Sequence, residues 1–334
     1  MALKLSVLDQ SPISEGMTAE LALKQTIELS QHVEKLGYER FWVSEHHDSA
    51  SLAGSSPEVL ISYIAAKTEK IRVGSGGVML PHYSAYKVAE NFRLLEGLAP
   101  GRIDLGLGRA PGGMPAATMA LQGGSRNRSV ADYPDQINEL LGYLADDVAN
   151  NPYGGLKASP LIQTMPEMWL LGSSPSSALL AASKGLPYTF AQFINGDGGP
   201  QYMEAYRNNF QPSAYLSEPK SMFAVFIACA ETNEEAERIA SSLDLALVML
   251  EQGMRSNGTP SPETAAAYQY SPFERARVRE NRKRMVVGSL ESVRDQLNRL
   301  SEQYQTENIM AVSIMYDFKD KLRSFELLAE AVRS

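Results

Sequence analysis

Cysteine is almost absent from this sequence, and its scarcity excludes two kinds of structure. Cys229 is the only cysteine among 334 residues, so the chain can form neither an internal disulfide nor a cysteine-ligated zinc cluster. Cys229 lies in an apolar run that is typical of a buried strand. We therefore interpret it as a thiol that packs in the core rather than as a catalytic nucleophile.

Positive charge and long apolar runs are also scarce. The formal net charge is −8, whereas domains that bind nucleic acid are usually basic, so we expect no nucleic-acid partner. No run approaches the roughly twenty apolar residues that a membrane-spanning helix needs. The first residues also lack the charged segment and apolar stretch of a signal peptide. These absences together predict a soluble, cytoplasmic protein.

What the sequence does contain is a regular alternation of apolar patterns. The two-residue period of strands repeatedly gives way to the three- and four-residue period of helices. Eight strand patterns occur, over residues 3–7, 40–44, 71–80, 102–107, 168–171, 188–194, 221–229 and 308–315. Strands that alternate with helices indicate a parallel sheet, and eight such strands can close a barrel. We predict a single (β/α)8 TIM barrel over residues 1–334, with a doubly wound open sheet as the alternative fold.

Two segments interrupt this alternation. Residues 108–131 are rich in glycine, proline and arginine, and residues 254–288 form a long, polar, arginine-rich insertion before the last strands. Segments of this length inside a compact domain are usually lids or binding loops, or else they are disordered. Residues 254–288 are therefore a candidate lid or binding loop.

Polar residues gather where the second strand ends. Barrel enzymes place their sites at the C-terminal ends of strands, and here the sequence EHHD occupies residues 45–48. His46 and His47 are adjacent, so their side chains point to opposite faces and make a poor chelating pair. We therefore expect no bound metal. One of the two histidines is expected to face the pocket and transfer protons near neutral pH; the alternative is a packed, hydrogen-bonded histidine pair.

Glycines interrupt the third strand at positions 74, 76 and 77. Glycine weakens a strand, and it is found there where the strand bulges or where another group approaches the backbone closely. A flat ring system would explain these glycines by close approach. A simple β-bulge would explain them equally well.

Arginines and serines follow the fourth and fifth strands. Residues 173–177 open a helix with the sequence SSPSS, and the free N–H groups at a helix start attract anions. Arg109, Arg126 and Arg128 lie in the connection after the fourth strand and could add positive charge. Together these features predict a phosphorylated cofactor, although serine capping without a ligand is also common. The P-loop motif is absent, which disfavours an NTPase.

These residues, taken in order, resemble the bacterial luciferase-like flavin monooxygenases. The matching segments are FWVSEHH at 41–47, VGSGGVMLP at 73–81, LL at 94–95, PGR at 100–102, LGLGR at 105–109, GSS at 172–174, GLP at 185–187 and VGS at 287–289. The resemblance implies an eight-stranded barrel that binds reduced FMN non-covalently and uses O2 to oxidise a small organic substrate. In such enzymes the cofactor supplies the difficult chemistry and the protein orients it.

The resemblance also implies roles for individual residues. His46 matches the active-site histidine of the family. Gly76 and Gly77 match a pair that is joined by a non-prolyl cis peptide bond beneath the flavin ring. The residues that match the phosphate-binding region are Arg109, either Arg126 or Arg128, Gly172, Ser174 and Ser177.

Some properties of the family stay open in this sequence. Gly108 stands where luciferase itself has a reactive cysteine, which argues against light emission. Deazaflavin-dependent oxidoreductases share the barrel, so such an enzyme is one alternative, and a non-catalytic flavin-binding protein is another. A metal-dependent barrel hydrolase is a more distant alternative. The insertion at 254–288 resembles the mobile lid of the family, where Arg282 or Arg284 could meet the substrate.

Two partners are expected besides substrate and O2. No dinucleotide-binding fingerprint is visible, so we expect a separate flavin reductase to supply reduced FMN. Family members commonly pair through helices two and three, so we expect a homodimer. Apolar residues on those helices either serve that interface or pack on the barrel: Ile61, Ile64, Val88 and Phe92.

Overall fold

The chain folds around one parallel sheet. The computed structural model describes residues 3–123, 130–147, 153–254 and 257–333. Within those ranges the strands are β1 (Lys4–Asp9), β2 (Arg40–Val43), β3 (Arg72–Met79), β4 (Ile103–Gly108), β5 (Glu167–Gly172), β6 (Tyr188–Ala191), β7 (Ser221–Ala230), β8 (Met285–Ser289) and β9 (Asn308–Val312).

The sheet closes into a barrel. Strands β1 to β7 pair in chain order, and β9 lies between β7 and β1 with parallel pairing on both sides. These eight strands correspond to the eight predicted patterns, so the (β/α)8 TIM barrel is confirmed. Strand β8 is a ninth strand outside this ring. It pairs only with the C-terminal half of β7, from Phe226 to Ala230, whereas β9 pairs with β7 from Phe223 to Phe226.

Helices cover the outside of the barrel. They are α1 (Ala19–Lys35), α2 (Pro57–Lys67), α3 (Ala85–Leu98), α4 (Pro115–Leu121), α5 (Tyr133–Leu144), α6 (Pro175–Lys184), α7 (Gly199–Asn208), α8 (Asn233–Glu251), α9 (Pro262–Ala267), α10 (Pro272–Asn281), α11 (Leu290–Tyr304) and α12 (Phe318–Arg333). No helix within the described ranges has both the length and the apolar character needed to cross a bilayer.

Three helices lie in the two segments that lack a clear sequence pattern. Helix α4 falls in residues 108–131, and α9 and α10 fall in the insertion at 254–288. Both insertion helices begin in the same way, with a serine cap followed by proline, at Ser261 and Ser271. Proline suits the first helical position because its missing N–H would have no partner there. The insertion thus has regular structure, and its motion as a lid stays a prediction.

The core has two layers, because alternate residues of each strand point to opposite faces. Phe41 and Val43 of β2 pack outward against the helices. Trp42 points inward and meets Trp169 of β5 edge to face, with ring centroids 5.6 Å apart. Cys229 lies buried in the outer layer, and burial raises the pKa of its thiol to about 12. It is therefore a neutral packing thiol.

Charged residues close the N-terminal end of the barrel, which we call the floor. Asp104 is fully buried and accepts hydrogen bonds from Arg40 at 2.7 Å and from Arg72 at 2.6 Å. Glu167 pairs with Arg40 at 3.5 Å and with Lys220 at 2.5 Å. The three cations of the floor therefore all have carboxylate partners within the chain.

Candidate active site

The opposite end of the barrel, which we call the mouth, brings the predicted site residues to one edge. Strand β2 pairs with β3 up to Val43, and β4 pairs with β5 up to Leu170. Because these parallel strands are neighbours and end together, the segments that follow them meet at the mouth. The neighbouring position of β4 and β5, on which the predicted anion site depends, is confirmed.

His46 lies just beyond β2 and is largely buried. Its Nδ1 is 3.0 Å from the hydroxyl of Ser44, and its backbone N–H donates to the carbonyl of Gly54 at 2.8 Å. Burial, and then the charge of His47, lower the pKa of His46 to about 4. The imidazole is therefore neutral at physiological pH. Its Nε2 has no hydrogen-bond partner among the residues that the structure describes.

His47 turns away from His46. Its Nε2 is 2.8 Å from Oε1 of Glu45, so the two rings have separate partners. That no metal is bound here stays a prediction. Within residues 3–123, 130–147, 153–254 and 257–333 no cluster of three or more His, Cys, Asp or Glu side chains could hold a metal ion.

Strand β3 has an irregular backbone at its glycines. The pairing of β3 with β4 shifts between Gly76 and Val78, which is a bulge, and the peptide bond between Gly76 and Gly77 is cis, as predicted. A Cβ on Gly77 would lie 2.7 Å from the carbonyl oxygen of Gly106. A Cβ on Gly76 would lie 2.6 Å from Leu8. Packing within the protein therefore accounts for both glycines, and their contact with a flavin ring stays a prediction.

Arg109 directly follows β4 and is exposed at the mouth. It forms no hydrogen bond or ion pair with any residue that the structure describes. Its charge acts on Tyr133, whose hydroxyl is buried and has no hydrogen-bond partner among the described residues. Burial raises the pKa of Tyr133 well above its ordinary value. The other two arginines of the prediction, Arg126 and Arg128, lie outside the described residues.

The serine turn after β5 is a well-formed helix cap. Ser174 is the N-cap of α6, and its Oγ accepts from the N–H of Ser177 at 3.4 Å. The Ser177 hydroxyl donates to the carbonyl of Ser174 at 2.7 Å, so it is already engaged. A Cβ on Gly172 would lie 2.2 Å from that same hydroxyl. The cap explains Gly172 and Ser177, whereas Ser174 is half-buried and Ser176 is exposed.

The structural roles of two residues at the site were not predicted from the sequence. Ser44 and Glu45 end the apolar run of β2 and are buried, although both are polar. A buried polar residue must have hydrogen-bond partners, and these two hold the histidines. The signal that could have found them is their position between a strand core and a candidate catalytic residue.

The arginines of the insertion have partners inside the protein. Arg282 donates to Asp244 at 2.8 Å and to Glu237 at 2.8 Å, both on α8. Arg284 donates to the side chain of Asn281 and, at 3.4 Å, to the carbonyl of Ile194. Arg282 therefore fastens the insertion to α8, and its suggested contact with substrate stays untested.

The apolar residues considered for a dimer interface pack on the barrel instead. Those four residues are all buried in the outer core: Ile61, Ile64, Val88 and Phe92. Other large apolar residues on the same helices are more than half exposed: Val59, Tyr63, Leu94 and Leu98.

Comparison with known proteins places these features in context. The profile of the luciferase-like monooxygenase family matches residues 3–307. The chain is 58% identical to the uncharacterized protein YwcH of Bacillus subtilis (strain 168), over 98% of both chains. It is 41% identical to the N-acetyl-S-alkylcysteine monooxygenase of the same organism, covering 99% of this chain and 98% of that relative. The crystal structure of apo-MsnO8 is similar with a TM-score of 0.93 and 40% identity, covering 99% of this chain and 98% of that one.

Proposed function

The chain belongs to the luciferase-like monooxygenase family, and on that basis we propose that it is an FMN-dependent monooxygenase, which uses reduced FMN and O2 to oxidise a small organic substrate. The observation that carries this choice of cofactor is Arg109, an exposed cation without a described partner at the end of β4, together with the neighbouring β5, which leads into the serine-capped start of α6. A flavin phosphate carries up to two negative charges and suits this pair of features.

The donor set at this edge fits a phosphate. The guanidinium of Arg109 offers a charged fork. At the start of α6, Pro175 has no N–H and Ser174 accepts the N–H of Ser177, so the N–H of Ser176 is the helix-start donor left for a ligand. The Tyr133 hydroxyl near Arg109 is buried and unsatisfied among the described residues. Such a group costs free energy unless it finds a partner, and a phosphate oxygen would supply one. Binding by these groups is non-covalent, and Arg126 or Arg128 would add a second arginine.

The reacting end of the cofactor would lie toward His46 and the glycines of β3. When bound, reduced FMN supplies the electrons that activate O2. His46 would then move a proton at its Nε2, the ring nitrogen without a described partner. For Nε2 to accept a proton, Nδ1 must carry the hydrogen and donate it to the hydroxyl of Ser44. A pKa of about 4 keeps the ring neutral at physiological pH, which leaves the Nε2 lone pair free, and also makes it a weaker base than an ordinary histidine.

Substrate and reductant come from outside the chain in this proposal. One relative at 41% identity is named for N-acetyl-S-alkylcysteine, and we propose only that this chain also oxygenates a small organic molecule. The sequence has no dinucleotide-binding fingerprint, so a separate flavin reductase would deliver reduced FMN. We place the pair in the cytoplasm, where reduced nicotinamide is available to that reductase.

Anaerobic titration tests the cofactor. The purified chain is titrated with FMN, riboflavin and a deazaflavin, and O2 consumption is then followed with the reduced form of each. We expect tight binding of FMN, weaker binding of riboflavin, and O2 consumption with reduced FMN. Preference for the deazaflavin would identify an oxidoreductase of the alternative cofactor class. Binding of FMN without substrate-dependent O2 consumption, across thioethers and other small organic compounds, would identify a flavin-binding protein.

A homodimer is the second part of the proposal. Val59 and Tyr63 lie one turn apart on α2, and Leu94 and Leu98 lie one turn apart on the neighbouring α3, all exposed. An isologous interface over these helices would bury the four side chains. Light scattering should give twice the chain mass at micromolar concentration. Leu98→Glu should give a monomer, whereas Leu250→Glu, at an equally exposed position on α8, should not.

A further inference from the structure

A buried carboxylate lies behind the histidine pair, and the proposed function does not use it. We propose that Glu45 is a positioning residue of the mouth: its carboxylate ties the end of β2 to the end of β3 and, through His47, to the loop that begins at Arg109. The inference rests on the proposed function, because the groups that Glu45 positions are the proposed proton acceptor and the proposed phosphate-binding arginine.

The carboxylate of Glu45 has two donors and a histidine contact, from three parts of the fold. It is fully buried. Its Oε2 accepts from the backbone N–H of Met79, the last residue of β3, at 2.9 Å. Its Oε1 accepts from the hydroxyl of Tyr83 at 2.7 Å and contacts Nε2 of His47 at 2.8 Å. A buried charge is tolerated when several hydrogen bonds satisfy it, and this one joins β2, β3 and the approach to α3.

Tyr83 is a fixed hydrogen-bond donor to Glu45. Burial, followed by the hydrogen bond and the charge of Glu45, raises the pKa of Tyr83 well above its ordinary value. The phenol therefore stays protonated and remains a donor. Met79 and Tyr83 both donate hydrogen bonds to this side chain. A carboxylate therefore fits there better than an amide, which carries N–H donors of its own.

The same residues hold the loop after β4. The backbone N–H of His47 donates to the carbonyl of Gly112 at 2.8 Å. A Cβ on Gly113 would lie 2.9 Å from the carbonyl oxygen of His47, so the loop backbone lies directly on the end of β2. His82, which follows β3, holds the loop from the other side, with Nε2 2.7 Å from the carbonyl of Pro111.

The position of Arg109 follows from these contacts. It lies two residues before Pro111, between the end of β4 and the part of the loop that His47 and His82 hold. His46 is the residue next to Glu45. One carboxylate therefore fixes the backbone on which both proposed functional groups stand, although it touches neither of them.

The test compares two buried glutamates at opposite ends of the barrel. Glu45→Gln keeps the shape of the side chain but presents an amide donor to groups that already donate. Glu96→Gln is the matched control: Glu96 is equally buried and accepts from the N–H of Gly101 at 2.8 Å, in the turn before β4. We expect Glu45→Gln to weaken FMN binding by about tenfold or more and riboflavin binding by less than about threefold. Glu96→Gln should change neither affinity.

Two further variants separate positioning from general damage. Glu45→Gln combined with Arg109→Ala should lose no more affinity for FMN than Arg109→Ala alone, because coupled residues are not additive. Gly113→Ala should reproduce the FMN-selective loss, since its Cβ would displace the loop without touching the carboxylate. Equal losses of FMN and riboflavin, or additive losses in the double variant, would overturn the inference.

Amide hydrogen exchange keeps the inference separate from the proposed function. If the parent protein binds neither flavin, the proposed function fails and exchange alone decides the role of Glu45. Faster exchange at residues 45–48 and 110–114 in Glu45→Gln, but not in Glu96→Gln, would still support positioning. Unchanged exchange in those segments would refute it.

Discussion

The arginines at the floor and at the mouth of this barrel have different surroundings. At the floor, Arg40 and Arg72 both bind the buried Asp104, and each cation has a carboxylate within reach. At the mouth, Arg109 is exposed and has no partner among the described residues, and Nε2 of His46 has none either. Both ends are built from strand termini of the same sheet, so the difference lies in the residues that the two sets of strand ends carry.

The contrast shows which end is built for stability and which for binding. A charged group that is already paired inside the protein contributes little free energy to ligand binding. An unpaired donor contributes more, because the ligand supplies its hydrogen-bond partner. Barrel enzymes place chemistry at the C-terminal ends of strands and stability at the N-terminal ends. In this chain, the arginines at the N-terminal ends of the strands are paired with carboxylates, and Arg109 at the C-terminal end of β4 is not paired within the described residues.

The largest expected effect is at the floor. Asp104→Ala would leave Arg40 and Arg72 without their shared carboxylate, and the side chain of Arg40 is only 9% exposed. Breaking a buried ion pair destabilises a fold by about 3–5 kcal/mol. Denaturant unfolding should show a loss of that size. The control Glu231→Gln breaks the exposed pair with Arg323 and should cost less than about 1 kcal/mol.

His46 should make stability depend on pH. Its pKa is 6.5 when unperturbed and about 4 in the fold, so below pH 6.5 the unfolded chain binds a proton that the folded chain does not. Stability is therefore complete above pH 6.5 and falls as the pH drops toward 4, by up to about 3 kcal/mol. His46→Gln should remove this part of the pH dependence in urea unfolding. His32→Gln, on the outer helix α1, should leave it in place.

The same pKa predicts the pH range of activity. Because neutral His46 accepts the proton, substrate-dependent O2 consumption with reduced FMN should not decline between pH 8 and pH 5 through this group. A decline with a midpoint near pH 6.5 would mean that His46 is solvated during turnover, and the proposed role of Nε2 would then be wrong.

Arg109 should matter for the ligand and not for the fold. Arg109→Ala removes a charge-assisted contact with phosphate of about 1.5–3 kcal/mol, which weakens FMN binding roughly tenfold to hundredfold. Riboflavin lacks the phosphate and should bind the variant and the parent alike. Arg299→Ala, at another exposed arginine on α11, should leave both affinities unchanged. If riboflavin binding falls as much as FMN binding, Arg109 acts on the ring or on the fold.

The sequence predicted the barrel well because the barrel depends on local periodicity. All eight strands that close the barrel were predicted, since each is a run of apolar residues between turn signals. Strand β8 was missed because its five residues run straight into α11 and pair only with the far half of β7. Helices α9 and α10 were missed although both carry a serine cap followed by proline. Short elements bury too few residues to show a period.

The candidate site was predicted less completely, for a different reason. His46 and Arg109 stand at strand ends, a position that can be read from the chain. Two of the three partners of Glu45 are 34 and 38 residues away, at Met79 and Tyr83. No local pattern links residues at that distance, so the network behind the histidines could be recognised only in the folded protein. The glycines of β3 are explained by contacts across strands in the same way.

The smallest expected effect tests whether the serine turn belongs with the mouth or is merely a cap. Ser174 caps α6, and Ser271 caps α10 in the insertion, each with its Oγ accepting from the third helical N–H. Replacing either by alanine should cost about 1 kcal/mol of stability, visible as similar shifts in thermal unfolding. Only Ser174→Ala should also weaken FMN, by about threefold to tenfold, because it removes one neutral donor to the phosphate. If both variants bind FMN like the parent, the serine turn is only a helix cap. Its hydroxyls would then be satisfied within the protein, as the charges of the floor are. Arg109 would have to bind the phosphate together with groups outside α6.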